Sequence, residues 1–157
     1  MAAENRSTVV HQAPMVWRLR ESEMDIVCPW LLPALQKRWP RLNSDGISHW
    51  FKSAMADRRT LFARTANMAG MWHSLSDVLE PTPVIVEKFV RGTDYATNEE
   101  ACVLYGYMKE WAKQIGAREC VIGMDSDASM GHAVQSLQSL STPCKKRTVY
   151  TLSMQGE

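Results

Sequence analysis

Two hydrophobic periods alternate along these 157 residues and predict a mixed α/β domain, one sheet with helices on both faces. Three observations carry that expectation. The short runs Thr60–Thr65 (TLFART) and Gly70–Leu75 (GMWHSL) sit side by side across a turn near Asn67–Gly70, as antiparallel strands do. Val84–Val90 (VIVEKFV) opens as a nearly continuous apolar run, the pattern of a strand at a sheet centre. Between it and Cys120–Met124 (CVIGM) lies a long helical pattern, so Val84–Met124 forms a βαβ unit. Its two strands must be parallel, with a right-handed crossover.

The elements follow in order. Residues 1–14 are polar and aperiodic and read as an arm, 15–154 as one domain and 155–157 as a tail. Met15–Arg20 (MVWRLR) alternates as a first strand. Ser22 with Asp25 three residues on has the spacing of a capping-box variant. The apolar segment to Trp39 is helical, with Pro29 and Pro33 expected to break or restart it and Pro40 to end it. Asn43 or Ser44 opens a second helix, in which Ile47, Trp50, Phe51, Ala54 and Met55 share one face.

After the three strands, Thr97–Ile115 is a third helix. Ala101, Leu104, Tyr105, Met108, Trp111, Ala112 and Ile115 line one side, and Gly116 is its C-terminal cap. A last helix is expected over Ala128–Leu140 and a last strand over Thr148–Met154. The order β-α-α-β-β-β-α-β-α-β gives a mixed antiparallel and parallel sheet of about six to seven strands. Trp39, Trp50, Trp72 and Trp111 fall at core positions, whereas Trp17 and Trp30 are candidate interface anchors.

Composition narrows the function classes. Apolar residues are 45%, charged residues 22% and the net charge +1, which excludes a disordered or collagen-like chain. No run approaches the roughly 18 apolar residues of a membrane-spanning helix, and the first residues lack the apolar core of a secretory signal. Cys28, Cys102, Cys120 and Cys144 are far apart with no C-x-x-C pair, so no metal site and a reducing compartment are expected. Residues 1–64 carry 10 basic and 6 acidic groups, and residues 65–157 carry 8 basic and 11 acidic. This polarity favours head-to-tail contacts or an anionic partner and is too weak for nucleic-acid binding. Serine-nucleophile and P-loop motifs are absent.

The element order, together with the loop Arg91-Gly92, the helix end Glu110-Trp111-Ala112-Lys113 with Gly116-Ala117, and Val121-Ile122-Gly123, resembles the GNAT N-acetyltransferase superfamily. That likeness covers about Met15 to Met154. The local match is best from Val84 to Met124, which looks like the GNAT-like proteins of tailed bacteriophages. The resemblance implies a loop after the fourth strand, Arg/Gln-x-x-Gly-x-Gly/Ala, whose N–H groups hold the pyrophosphate of acetyl-CoA at a helix N-terminus. Anchored on Arg91, that loop is Arg91-Gly92-Thr93-Asp94-Tyr95-Ala96; anchored on Trp111, it is Ala96-Thr97-Asn98-Glu99-Glu100-Ala101. Asp94 or Glu99 then stands where the motif has its central glycine. Arg91, Gly92, Thr93, Ala96 and Thr97 are the residues that would hold acetyl-CoA if it binds.

Thr97 and Glu100 also have capping-box spacing, which lets the helix satisfy its own donors. For catalysis the resemblance implies a base on the fourth strand and an acid on the last helix. Glu87 is the candidate base, with a surface-facing strand glutamate as the alternative. His132 is the candidate acid, with an ordinary helix-face histidine as the alternative, and His73 is expected to be structural. The degenerate loop favours a protein that has lost acetyl-CoA and acts through protein partners or as a homo-oligomer, as a virion or virion-associated component. Its expected location is the host cytoplasm or the virion. The alternative is an active acetyl-CoA-dependent N-acetyltransferase on a small-molecule or protein amine.

Overall fold

The computed structural model of the chain describes residues 13–122. Residues 1–12 of the arm, the helix at 128–140 with His132, and the strand at 148–154 lie outside the described residues. The described elements are β1 (Trp17–Arg18), a 3-10 turn (Glu21–Glu23), α1 (Met24–Gln36), α2 (Ser44–Ala56), β2 (Thr60–Arg64), β3 (Met68–Leu75), β4 (Val84–Gly92), α3 (Asn98–Gln114) and β5 (Glu119–Val121).

The five strands lie in the order β1-β2-β3-β4-β5. The first three pairings are antiparallel, and β4 with β5 is parallel. The crossover expected from Val84–Met124 is therefore present. Five strands are described, against the six to seven expected. β4 runs on to Gly92, and β5 occupies Glu119–Val121 rather than Cys120–Met124.

Strand alternation sends side chains to two cores. Phe62, Ala69, Met71 and Phe89 meet Val27, Leu31, Leu35 and Phe51 from α1 and α2. Leu61, Ala63, Trp72 and Ile85 meet Leu104, Tyr105, Met108 and Trp111 on the other side. Phe51, Phe62 and Phe89 pack edge to face, Phe51 and Phe62 at 4.9 Å and Phe62 and Phe89 at 5.8 Å between ring centres.

Several local expectations are corrected. Pro29 and Pro33 do not break α1, which runs unbroken from Met24 to Gln36. The two prolines are exposed and four apart, opposite the buried stripe Val27, Leu31 and Leu35. Their missing hydrogen bonds therefore fall on the solvent side, where water satisfies the freed carbonyls.

The first helix starts with the 3-10 turn rather than a Ser22 cap. There the Glu23 carboxylate accepts the Arg20 N–H at 3.0 Å. Asn43 does open α2, accepting the Gly46 N–H at 2.7 Å. Trp72 and Trp111 are core residues, but Trp39 and Trp50 are 41% and 42% exposed. Trp50 lies at the rim of the α2 stripe, with its ring 6.4 Å from Phe89.

Trp17 and Trp30 are half-buried. The Trp17 indole donates to Glu23 and lies beneath the Arg64 guanidinium, 5.1 Å from the ring centre. Trp30 packs on the α1–α2 core. The hairpin turn lies at Thr65–Asn67, so Gly70 belongs to β3 rather than to a turn. Gly116 closes α3 at φ +70°, with the Ala117 N–H bonded to the Ala112 carbonyl and the Gly116 N–H to that of Lys113.

Candidate functional site

The site is built where β4 meets its neighbours. Met71 of β3 pairs with Phe89, but the next residue, Trp72, pairs with Glu87, so Lys88 is the extra residue of a bulge in β4. The bulge sends Phe89 towards α1 and α2, while Glu87 stays on the α3 side with Ile85. β5 pairs with β4 only over Val84–Val86, so Glu87 is the first β4 residue beyond that pairing.

Glu87 is not the surface-facing strand glutamate of the alternative reading. It is half-buried on the α3 face. Its Oε1 accepts from Trp72 Nε1 at 3.0 Å and from the Tyr105 hydroxyl at 2.9 Å. The Trp72 and Tyr105 rings meet edge to face at 5.9 Å. Burial pushes the Glu87 carboxyl up to about 7, against the two hydrogen bonds and the Arg91 charge, which act the other way. Burial and the nearby Glu87 charge also raise the Tyr105 hydroxyl, and they push the Cys120 thiol up to about 12. A carboxyl near neutrality is poised for proton exchange, while Tyr105 stays a donor and Cys120 a protonated, unreactive thiol.

The sign of the linkage follows. The folded chain holds the Glu87 proton more tightly than the unfolded chain, so this group stabilises best at low pH. That contribution falls by about 2–3 kcal/mol as pH rises from about 4.5 to 7. Urea unfolding at pH 5 and pH 8 measures it. The wild-type difference should shrink by about that amount in Glu87→Gln, and equal differences in both proteins would contradict the assignment.

The other predicted residues cluster at the opposite end of β4. Arg91 and Gly92 end the strand, Thr93–Ala96 form a turn, and Thr97 caps α3. Arg91 Nη1 donates to the Val90 carbonyl at 2.9 Å. The Thr93 N–H donates to the Asn67 carbonyl at 2.8 Å, tying this loop to the β2–β3 turn.

Glu100 completes the tie. It is 4% exposed, and its carboxylate accepts from the Thr65 hydroxyl at 2.9 Å, the Asn67 N–H at 3.0 Å and the Thr97 N–H at 3.0 Å. Thr97 Oγ1 in turn accepts the Glu100 N–H at 3.2 Å, so the capping box read from the sequence is present. Burial alone would raise the Glu100 carboxyl. The bonds from Thr65, Asn67 and Thr97 outweigh burial and hold it below the usual range.

Gly92 stands at an unspecified position of the motif, and a Cβ there would meet the Ala96 methyl at 2.7 Å, Met68 Cγ at 3.2 Å and the Asn67 carbonyl at 3.3 Å, so the loop packs closely on the β2–β3 turn. Glu99 and Glu100 occupy the first turn of α3, where the helix field would otherwise favour an anion.

The structure therefore gathers Arg91, Gly92, Thr93, Ala96 and Thr97 at one end of β4 and sets Glu87 near mid-strand. His73 pairs with Val86, beside Glu87 but on alternate strand parity, and its Nδ1 is 2.8 Å from the Thr60 hydroxyl at the start of β2. Sequence reasoning missed Trp72 and Tyr105 as partners of Glu87, and Asn67 as the link to Glu100. The parity of Ile85 and Glu87, two apart with Ile85 in the core, was the available signal for the first pair. The contact between Asn67 and Glu100 spans 33 residues and had none.

Cys28, Cys102 and Cys120 are free thiols. Among the described residues, no helix is long and apolar enough to cross a membrane.

No protein-family model and no curated protein sequence matches the chain. Solved structures do. A probable acetyltransferase superposes with a TM-score of 0.71 at 12% identity, over 91% of this chain and 99% of that one. The aminoglycoside 6'-N-acetyltransferase AAC(6')-Ih of Acinetobacter baumannii gives 0.62 at 17% identity, over 91% and 99%. The ribosomal-protein-alanine N-acetyltransferase of Brucella melitensis biovar Abortus 2308 gives 0.66 at 11%, over 91% and 100%. Identities this low speak to architecture alone, and the architecture of this chain is the GNAT acetyltransferase fold.

Proposed function

We propose that this protein uses the GNAT fold without its acetyl-CoA grip, as a structural or interaction component. The resemblance to tailed-phage proteins makes the virion, or a virion-associated assembly, its setting. The observation that carries the reading is Glu100. Its buried, ionised carboxylate takes the Thr97 N–H at the start of α3, where a pyrophosphate would need donors, and also the Asn67 N–H of the β2–β3 turn. Two like charges about 4 Å apart cost about 4 kcal/mol at an effective dielectric of 20, against roughly 8 kcal/mol for a whole micromolar affinity. Calorimetric titration with acetyl-CoA tests the reading. The expected dissociation constant is weaker than about 100 micromolar, near 5.5 kcal/mol.

Glu87 favours a second reading, an active N-acetyltransferase on a small-molecule or protein amine. A β4 carboxyl near 7 suits a general base for an ammonium acceptor. The neighbours named for aminoglycoside and ribosomal-protein acetylation use such amines. Acetyl-CoA would be its cofactor, held at Arg91, Gly92, Thr93, Ala96 and Thr97, and the same titration decides between the two readings.

A further inference from the structure

Helix α1 is apolar on nearly every side. Its 13 residues include one charged side chain, Asp25, and one amide, Gln36. A helix of that composition is ordinarily enclosed. Here only Met24, Val27, Leu31 and Leu35 are buried. The opposite stripe, Asp25, Ile26, Pro29 and Pro33 with Lys37 beyond the last turn, faces outward, and Ile26 is 62% exposed. Lys37 keeps helical backbone, with φ -59° and ψ -37°, so it continues that stripe.

The stripe is complementary to itself when turned end for end. The antiparallel register that sets Pro29 against Pro33 also sets Asp25 against Lys37 and Ile26 against Gln36. Asp25 and Lys37 stand at opposite ends, about 18 Å apart along the axis. Neither makes an ion pair among the described residues. A two-fold pairing therefore forms the same ion pair at each end, and it also opposes the two helix dipoles. The prolines at its centre lose no side-chain entropy when covered. Pro33 frees the Pro29 carbonyl on this face. The half-buried Trp30 at the edge of the stripe makes no hydrogen bond among the described residues, so the partner's Trp30 is a donor within one turn of that carbonyl.

We infer that two copies of this chain pair through the outer face of α1, antiparallel about a two-fold axis, with Asp25 of each against Lys37 of the other. The contact is isologous and closes at the dimer. One helix face about 20 Å long buries less than a standard interface, so the dimer belongs to the weak, exchanging class. α1 packs on the sheet face opposite α3 and Glu87, so pairing leaves the site described above uncovered. The inference goes beyond the interaction reading by naming a partner, a second copy, and it stands on α1 alone.

Sedimentation equilibrium of the full chain tests it with three variants, Asp25→Lys, Lys37→Glu and the double exchange of both. Far-UV dichroism of each should match wild type, because only exposed side chains change. The wild-type mass should rise from one chain towards two, and no further, between about 10 micromolar and 1 millimolar. Each single exchange sets like charges together twice and should move that rise about tenfold higher in concentration. An equimolar mixture of the two single variants should associate as wild type does, and so should the double exchange, because both restore opposite charges at both ends. A wild type that stays monomeric up to about 1 millimolar overturns the inference and assigns the face to a different partner. Single exchanges that associate as wild type does, or a double exchange no better than the singles, overturn the antiparallel pairing. Acetyl-CoA titration is read separately. A monomer that ignores acetyl-CoA overturns only the dimer, and a dimer that binds it tightly overturns only the interaction reading.

Discussion

Glu100→Ala is expected to lower stability by about 3–5 kcal/mol, more than any other single polar change in the described residues. The carboxylate is buried and accepts from Thr65, Asn67 and Thr97, so its removal leaves three donors without an acceptor. Bonds to a charged acceptor contribute about 1.5–3 kcal/mol each, and part of this returns when water enters. Differential scanning calorimetry should show the midpoint falling by roughly 10 °C. Glu100→Gln keeps the shape but turns an NH2 group towards donors, so it should recover only part of the loss.

The pH dependence has the opposite sign to that of Glu87. The folded Glu100 carboxyl lies below its unfolded value, so its contribution is complete above that value and is lost as pH falls through the folded one. The glutamine variant should lack that acid-side loss. A variant within about 1 kcal/mol of wild type would mean the ties between the β2–β3 turn and α3 carry little.

Gly70→Ala is the second large effect, with an expected loss of about 3 kcal/mol. Gly70 and Trp72 lie on the same face of β3, and the Trp72 indole folds back across Gly70. An added Cβ would press into Cη2 at the tip of that indole, with Cζ3 at 2.8 Å and Cζ2 at 3.0 Å. The ring cannot move away freely. It is fully buried, packs edge to face on Tyr105 and donates to Glu87. Displacing it would also loosen the donor pair on Glu87. Urea unfolding should therefore show the stability loss together with a change in Trp fluorescence of the folded state. A stability loss below about 1 kcal/mol would show that the sheet yields at this point.

Much of the fold was legible because its signals are local. The α3 stripe, the Thr97–Glu100 capping box and the Gly116 cap are encoded within a few residues, and each is found in place. The parallel β4–β5 pair followed from the βαβ spacing alone. What was not legible depends on solvent or on distant contacts. Pro29 and Pro33 forbid a helix only where the freed carbonyls are shut away from water. Trp39 and Trp50 fit apolar positions yet are 41% and 42% exposed, and Trp50 sits at the rim of a core already filled by Phe51, Phe62 and Phe89.

The site divides the same way. Glu87 was readable as a β4 carboxylate. Its environment depends on the Lys88 bulge and on Trp72 and Tyr105, 15 and 18 residues away. The capping box at the acidic start of α3 was readable from the Thr97–Glu100 spacing. That Glu100 turns inward to bind the β2–β3 turn was not, because Asn67 and Thr65 lie on another element.

The central proposal is that the Thr97–Glu100 capping box at the start of α3 leaves acetyl-CoA without a pyrophosphate grip. Calorimetric titration of the wild-type chain with acetyl-CoA at neutral pH tests it most directly. The account predicts no saturable heat below about 100 micromolar ligand. A one-to-one isotherm with a micromolar dissociation constant, near 8 kcal/mol, would contradict it and leave Glu87 as the base of a working acetyltransferase.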